Sequence, residues 1–224
     1  MTSRPRLVLL GKQGAGKGTQ AVRLAAHYDI ARLSTGDLFR TQAGVGTAFG
    51  LEAKRYMDTG ELVPDDIVIG VVEECLASGG SLSDGFVLDG FPRTIHQARE
   101  LDRALGYQHP LDLVVSLEVP HDVVLDRLAG RRVCEVCQRV YHVNLPPLLP
   151  WKCDDDNGEV TQRPDDTEEA IARRLELYEK ETVPIVEYYR AKGPLVVVDG
   201  VGDGDEIFSR LLNEVDAQLD YSTW

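Results

Sequence analysis

Five short apolar runs recur along the chain, separated by segments in which apolar residues follow helical spacing. The runs are rich in Val, Leu and Ile without polar alternation, which is typical of strands buried on both faces of a parallel sheet. They cover residues 7–10, 31–33, 86–88, 113–117 and 195–198. The helical segments cover residues 16–27, 65–78, 95–105, 121–129, 167–191 and 205–219. This alternation predicts a three-layer, doubly wound α/β fold around a five-stranded parallel sheet, with ligand sites beyond the carboxyl ends of the strands.

Two stretches interrupt the alternation. Residues 35–63 contain helical pieces but no strand, and residues 130–166 contain three cysteines, four prolines and a run of Asp. Each looks like a small insertion at the carboxyl end of a strand, where a mobile cover would lie. We therefore predict a core of residues 1–33, 64–129 and 167–224, carrying two mobile insertions.

The first predicted strand leads into a glycine-rich segment that opens a helix. Gly11 is followed by four residues, then Gly16 and Lys17, which is the spacing of a phosphate-binding loop. Glycines let backbone N–H groups converge on phosphate oxygens, the helix N-terminus adds its dipole, and the lysine adds a charge. The usual Ser or Thr ligand of Mg²⁺ after the lysine is replaced by Gly18, with Thr19 following. We therefore expect Mg²⁺ to be held weakly, mostly through nucleotide phosphates and water.

Arginines follow two other predicted strands at the same edge of the sheet. Segments 33–40 and 89–94 each come directly after a strand, and they end near Arg40 and Arg93. Further arginines occur at Arg127, Arg131, Arg163 and Arg174. A single arginine is more often a surface residue, but several at such positions favour phosphoryl transfer, in which charge spreads over the transferring oxygens.

Three of the four cysteines lie in the second insertion. Cys134 with Cys137, and Cys153 with Asp156, form two pairs separated by 15 residues, which is the spacing of a structural zinc ribbon. Four protein ligands would leave no open coordination position, so such a metal would be structural. His142 is a possible substitute ligand, and the alternative is a lid with remnant thiols and solvated acids. The fourth cysteine, Cys75, lies in an apolar helical stretch and is expected in the core.

The net charge of −13 argues against a nucleic acid or an anionic membrane surface as partner. No apolar run approaches the length of a membrane span, and residues 1–6 lack the apolar stretch of a secretory signal. We therefore expect a cytoplasmic protein. The acidic residues near the end of the chain are expected to form a solvated face.

Taken together, the motifs resemble the adenylate kinases of the long-lid kind, over essentially the whole chain. The matching stretches are residues 14–20, 33–40, 60–65, 89–94, 130–132 and 163–166. The resemblance implies a P-loop kinase fold, the reaction ATP + AMP ⇌ 2 ADP with Mg²⁺, and a cytoplasmic monomer. Family members use either Cys or Asp as the fourth lid ligand.

The resemblance also implies roles for individual residues. The implied ATP site consists of Gly14, Ala15, Gly16, Lys17, Gly18, Thr19, Arg127, Val140, Tyr141 and Gly202. The implied AMP site consists of Thr35, Arg40, Glu61, Leu62, Val63, Gly90, Phe91, Pro92, Arg93, Gln97, Arg163 and Arg174. The implied catalytic contacts to phosphate come from Lys17, Arg93, Arg131, Arg163 and Arg174. Asp37 and Asp89 would orient Mg²⁺-bound water.

Three observations bear on the roles that the resemblance implies. The Gln97 amide matches the donor–acceptor edge of adenine. Tyr141 and His142 are either an aromatic platform for a base or part of the lid packing. The pair Lys12-Gln13 departs from the smaller or Pro-containing pair common in the family.

Other functions remain open from the sequence. A sister enzyme would use GTP as donor or a pyrimidine monophosphate as acceptor, although Thr35 and Gln97 favour AMP. A regulatory phosphate-loop protein that hydrolyses slowly would not explain the segment 35–40 or Arg93. A zinc-ribbon interaction module would explain only residues 130–166.

Overall fold

A central sheet of five parallel strands organises the protein, as seen in a computed structural model that describes residues 4–77, 84–106 and 110–221. The strands in these residues are β1 (Arg6–Leu10), β2 (Ala31–Ser34), β3 (Phe86–Asp89), β4 (Leu113–Glu118), β5 (Arg131–Cys134), β6 (Val140–His142), β7 (Val160–Thr161) and β8 (Leu195–Asp199). The five-stranded sheet has the order β2-β3-β1-β4-β8, and all of its pairs are parallel. The predicted fold and its five strands are confirmed, each within one residue at either end.

Helices cover both faces of the sheet. They are α1 (Lys17–Tyr28), α2 (Thr35–Gly44), α3 (Ala48–Asp58), α4 (Asp65–Ala77), α5 (Ile95–Leu105), α6 (His121–Gly130), α7 (Glu168–Leu177), α8 (Val183–Lys192) and α9 (Gly204–Tyr221). Ser78, the last residue of the predicted helix 65–78, lies outside the described residues. None of the helices in the described ranges is long and apolar enough to cross a membrane.

Alternate residues of the first strand point into two separate apolar clusters. Leu7 and Leu9 belong to the cluster beneath α1 and α9, whereas Val8 and Leu10 belong to the cluster beneath α4, α5 and α8. All four side chains are at most 2% exposed, and full burial of such a side chain stabilises the fold by about 1.5–3 kcal/mol. This burial on both faces is the reason the strand lacks polar alternation.

One helix prediction was wrong. Residues 167–191 were expected to form a single helix, but α7 and α8 are separated by a π-helical turn at Tyr178–Thr182. Pro184 explains the interruption, because it has no N–H to donate to the carbonyl four residues earlier and its ring crowds that carbonyl.

Both insertions have their own structure. Residues 35–63 contain α2 and α3 without a strand, as predicted, and Phe39 packs on Phe49 with ring centroids 5.3 Å apart. The second insertion contains a separate antiparallel sheet in the order β6-β5-β7. Its buried apolar cluster comprises Cys134, Tyr141, Cys153 and Val160. That these segments move relative to the core stays a prediction, as do the exact domain boundaries.

Candidate active site

The glycine-rich loop between β1 and α1 is drawn tightly against α6. Gly14 has φ of 80°, and a Cβ there would lie 2.8 Å from Cγ of Leu128, so both backbone conformation and space require glycine. Lys17 folds back over this loop, and its Nζ donates to the carbonyl oxygens of Gly11 at 2.6 Å and Lys12 at 2.8 Å. The loop therefore has the shape and the charge to receive a phosphate group.

The surroundings of Lys17 disfavour the protonated form of its amine. Burial lowers its pKa to about 8, and the positive charges of Arg93 and Arg131 act in the same direction, while Asp89 opposes them. A phosphate anion beside the amine would restore its ordinary pKa, because an opposite charge favours the protonated form. Binding of an anion therefore stabilises the protonated amine.

Five predicted arginines surround the space in front of the loop, and we call them the arginine cluster. They are Arg40, Arg93, Arg131, Arg163 and Arg174. Burial and then the charge of Arg40 lower the pKa of Arg163 to about 10. The surrounding protein and then the charge of Arg174 lower the pKa of Arg93 to about 10, although Arg93 keeps a solvent-exposed surface in the cleft. The buried Nε atoms of Arg40 and Arg163 have no hydrogen-bond partner among the described residues. Clustered like charges with unused donors indicate a site for a strongly anionic ligand.

Two buried carboxylates hold this cluster together, and the sequence analysis did not single them out. Asp166 accepts hydrogen bonds from Arg131, with Nε at 2.8 Å from Oδ2, and its side chain is fully buried. Asp165 pairs with Arg174, which also donates to the carbonyl of Met57 at 2.9 Å. The available signal was two adjacent acids within the arginine-containing segment 163–166.

The acceptor side contains a small cavity beneath the first insertion. Its lining includes seven predicted residues, Thr35, Glu61, Leu62, Val63, Gly90, Arg93 and Gln97, together with Gly36, Phe39, Met57 and Val68, which were not predicted. The cavity volume is about 30 Å³, roughly the space of one water molecule. A nucleotide base can enter only if the walls move apart.

Other residues predicted for this side lie elsewhere. Arg40, Arg163 and Arg174 belong to the arginine cluster and do not line the cavity. Phe91 is 2% exposed and packs in the apolar core, and Pro92 is buried beside it. Their side chains therefore support the fold, and only their main chain is available to a ligand.

The Gln97 amide is held in place by two hydrogen bonds. Its Oε1 accepts from the backbone N–H of Arg93 at 2.7 Å, and its Nε2 donates to Asp65 at 2.7 Å. Thr94, the N-cap residue of α5, fixes the same carboxylate at 2.8 Å. An amide has two donor hydrogens and two acceptor lone pairs, so one of each remains for a base.

On the ATP side of the site, Arg127 connects the phosphate loop with the loop that follows β8. Its guanidinium donates to the carbonyl oxygens of Ala15 at 3.3 Å, Gly200 at 2.9 Å and Gly202 at 3.5 Å. Arg127, Ala15 and Gly202, which were all predicted for the ATP site, thus lie together. Their contact with a nucleotide stays a prediction.

Tyr141 is part of the lid core. Its hydroxyl donates to the sulfur of Cys153 at 3.4 Å and accepts from the backbone N–H of Asp154 at 2.9 Å. Of the two alternatives for this ring, the structure favours lid packing over a platform for a base. Val140 beside it is 44% exposed.

Of the two acids predicted to orient Mg²⁺-bound water, Asp37 lies in the first turn of α2 and Asp89 is the last residue of β3. Asp37 is bound by Arg40 at 2.5 Å and by Arg32 at 2.7 Å, and Asp89 is bound by Arg32 at 3.2 Å. Although burial acts in the opposite direction, Arg40 and Arg32 hold the pKa of Asp37 at about 2. Carboxylate oxygens suit Mg²⁺, so the donor set fits that ion. Arg32 was missed; a charged residue within an apolar strand was the available signal.

The predicted zinc ligands come together in the lid. One ligand atom from each of Cys134, Cys137, Cys153 and Asp156 lies within 4.8 Å of all the others. The sulfurs of Cys137 and Cys153 are 3.5 Å apart, and Cys134 lies 3.3 Å from Asp156 Oδ1. A tetrahedral site with Zn–S bonds of about 2.3 Å requires separations of roughly this size. The set therefore fits zinc.

The two ligand pairs have the same backbone turn. The N–H of Gln138 donates to the carbonyl of Cys134 at 3.1 Å, and the N–H of Asn157 donates to that of Cys153 at 2.9 Å. Gln138 and Asn157 are both left-handed, at φ of 64° and 59°. Asp156 therefore occupies the position in its turn that Cys137 occupies in the other.

Gly158 completes this site. A Cβ on Gly158 would lie 2.8 Å from the sulfur of Cys134, so the close approach requires glycine. Its N–H and then the thiol of Cys137 lower the pKa of Asp156 to about 2, which keeps the carboxylate ionised at neutral pH. His142 lies 3.4 Å from the carbonyl of Asp126 and is not among the clustered ligands, so it is not a substitute here.

Comparison with known proteins finds similar proteins of a single family. A sequence model of the adenylate kinase family matches residues 9–194. The chain is 50% identical to an adenylate kinase of Thermodesulfovibrio yellowstonii over 92% of this chain and 96% of the relative. It is 47% identical to an adenylate kinase of Bacillus subtilis, over 91% and 94% of the two chains, and 48% identical to one of Syntrophobacter fumaroxidans, over 92% and 97%.

Proposed function

This chain belongs to the adenylate kinase family, and from that premise we propose how its own residues transfer a phosphoryl group reversibly between ATP and AMP. The family assignment makes it a nucleoside-monophosphate kinase, so a slowly hydrolysing switch or a zinc-ribbon interaction module does not describe the whole chain. What remains to be assigned is the role of each residue.

The convergence of positive charge in front of the phosphate loop carries the proposal. Lys17, Arg93, Arg131, Arg163 and Arg174 stabilise the charge that develops on the oxygens of the transferring group. No covalent enzyme intermediate is needed, since the reaction depends on positioning and electrostatics. The buried carboxylates beside Arg131 and Arg174 keep the guanidinium groups in place before the nucleotides arrive.

Two nucleotides bind on either side of these cations. The donor ATP lies over the loop 14–19, with its base near Arg127 and Gly202. The acceptor AMP enters the cavity lined by Thr35 and Gln97, where the remaining donor and acceptor of the amide match the edge of adenine. The small volume of this cavity supports an insertion that opens to admit AMP and closes over it.

Magnesium arrives with the nucleotide. Asp37 and Asp89 would hold its water ligands, because Gly18 offers no hydroxyl. When bound, the ion neutralises phosphate charge and aligns the phosphate groups. The residues of this chain orient the nucleotides, and closure of the two insertions excludes water that would otherwise accept the phosphoryl group.

In the lid, Cys134, Cys137, Cys153 and Asp156 hold a structural zinc ion. The matched turns and the spacing of the ligand atoms support this assignment. With four protein ligands the ion has no open position, so it stabilises the lid and takes no part in the chemistry. Thiols arranged as metal ligands suit a reducing cytoplasm, and we propose that the enzyme acts there as a monomer.

A coupled assay of ADP formation tests the proposal. The protein is supplied with ATP or GTP and with each nucleoside monophosphate in turn, in the presence and absence of Mg²⁺. We expect turnover with ATP, AMP and Mg²⁺ together. Equal hydrolysis of ATP without AMP would contradict the proposal, and faster turnover with GTP or a pyrimidine monophosphate would reassign the base sites.

A further inference from the structure

An arginine outside the predicted site bridges the two acids at the edge of the sheet. Arg32 lies on β2, and its Nη2 is 2.7 Å from Oδ2 of Asp37 and 3.2 Å from Oδ2 of Asp89. Asp37 also pairs with Arg40 and, at 3.8 Å, with Arg163, whereas Asp89 has no other ion pair within 4 Å in the described parts of the chain. The Arg32 side chain is only one-quarter exposed, so these contacts are largely shielded from water.

The guanidinium also lies beside the phosphate loop. A Cβ built on Gly18 would be 3.3 Å from Oδ2 of Asp89 and 3.6 Å from Nη2 of Arg32. In other phosphate loops the residue after the lysine directs a hydroxyl toward Mg²⁺. A cation of the protein therefore lies at the edge of the space that the magnesium ion of the nucleotide would use.

We propose that Arg32 is a positioning residue that holds Asp37 and Asp89 together and weakens the site's affinity for the magnesium ion by competing for the same carboxylate oxygens. The proposal rests on the proposed function. In the free enzyme the guanidinium offsets the repulsion between the two acids and fixes their direction. Part of this attraction would have to be given up on Mg²⁺ binding, because the oxygens that accept from Nη2 are also those that would hold the ion's water ligands.

Removing the charge should therefore have two opposite effects. Without Arg32, Asp89 loses its nearest cation, so the site becomes more negative and the metal binds more tightly. The acids also lose their fixed direction, so turnover at saturating Mg²⁺ falls. A salt bridge that only fastened β2 to β3 would change stability without tightening metal binding.

The test measures metal affinity directly, with Mn²⁺ as the probe because it also prefers oxygen ligands and has an electron paramagnetic resonance signal. Free Mn²⁺ is titrated against the full-length protein saturated with a non-hydrolysable ATP analogue. We expect Arg32→Gln to bind Mn²⁺ about 3- to 10-fold more tightly than the wild type, the scale on which a nearby unit charge acts on a divalent ion. Arg32→Lys, which keeps the charge, should stay close to the wild type.

Two controls make the result specific. Arg190→Gln removes an exposed arginine whose one ion pair among residues 4–77, 84–106 and 110–221 is with Glu187, and it should leave Mn²⁺ affinity unchanged. In an Asp89→Asn background, Arg32→Gln should tighten binding less than it does in the wild type, because only Asp37 then remains to be released. Arg32→Met is a second uncharged variant, in case Arg32→Gln does not fold.

Unchanged or weaker Mn²⁺ binding in the folded, uncharged variants would overturn the proposal, and so would the same tightening in the Asp89→Asn background. Failure of the proposed function would look different. In that case the wild type itself would neither bind Mn²⁺ with the analogue nor form ADP from ATP and AMP.

Discussion

Neutralising one buried carboxylate should weaken both the fold and the catalytic cluster. Asp166 has a fully buried side chain, and it accepts a two-point hydrogen bond from Arg131 while lying 3.9 Å from Arg174. In Asp166→Asn the side chain keeps its size but loses its charge, and its NH₂ group faces a guanidinium donor. One of the two bonds to Arg131 then becomes a contact between two donors.

The expected magnitude follows from the burial. Removing one partner of a buried ion pair costs about 3–5 kcal/mol, and the lower end applies because the side chains of Arg131 and Arg174 are 12% and 13% exposed and can recruit water. For a chain of this length, about 3 kcal/mol lowers the melting temperature by about 6–12 °C. The exposed pair Lys54–Asp58 is a matched control, since Asp58→Asn should cost no more than about 0.5 kcal/mol.

Scanning calorimetry measures both variants at neutral pH, and the coupled ADP assay is run well below both transitions. We expect the kcat of Asp166→Asn to fall because Arg131 is no longer held in direction, while Asp58→Asn keeps its kcat. Equal shifts in melting temperature for the two variants would refute the reasoning about the buried pair. An unchanged kcat would show that Asp166 does not position the cluster.

Three other sites yield predictions. Lys17→Met should lower kcat by orders of magnitude while the protein stays folded; near-normal turnover by calorimetrically native protein would exclude the phosphate-loop role. Because the pKa of Lys17 is about 8, ATP binding at pH 8 should take up protons, measured by titration calorimetry in buffers of different ionisation enthalpy; no uptake would contradict this. Gln97→Ala should raise KM for AMP far more than for ATP in steady-state assays, and equal effects would remove its base-reading role. Cys153→Ser should lose the zinc found by elemental analysis and melt at a lower temperature. Cys75, which was expected in the core, is only half-buried on α4, and Cys75→Ser should keep the zinc; metal-free wild type insensitive to chelators would refute the zinc site.

Much of the fold is determined locally and was predicted from the sequence. Runs such as 7–10 lack polar residues because both faces of the strand are buried, and this pattern is visible without any structure. The phosphate loop and the two lid ligand pairs are equally local, since each lies within a few consecutive residues and its spacing is visible in the sequence. The interruption at Pro184 was also visible in the sequence, but its effect on the long helix was not recognised.

The tertiary structure decided which charged residues act together. Arg32 and Asp89 are 57 residues apart, and Arg131 and Asp166 are 35 apart, so only the packing of strands and insertions brings each pair into contact. Likewise, Tyr141 is assigned to the lid core because Cys153 and Asp154 fold against it. Local spacing determines turns and periodicity, whereas the partner of a buried charge depends on chain segments that meet only after folding.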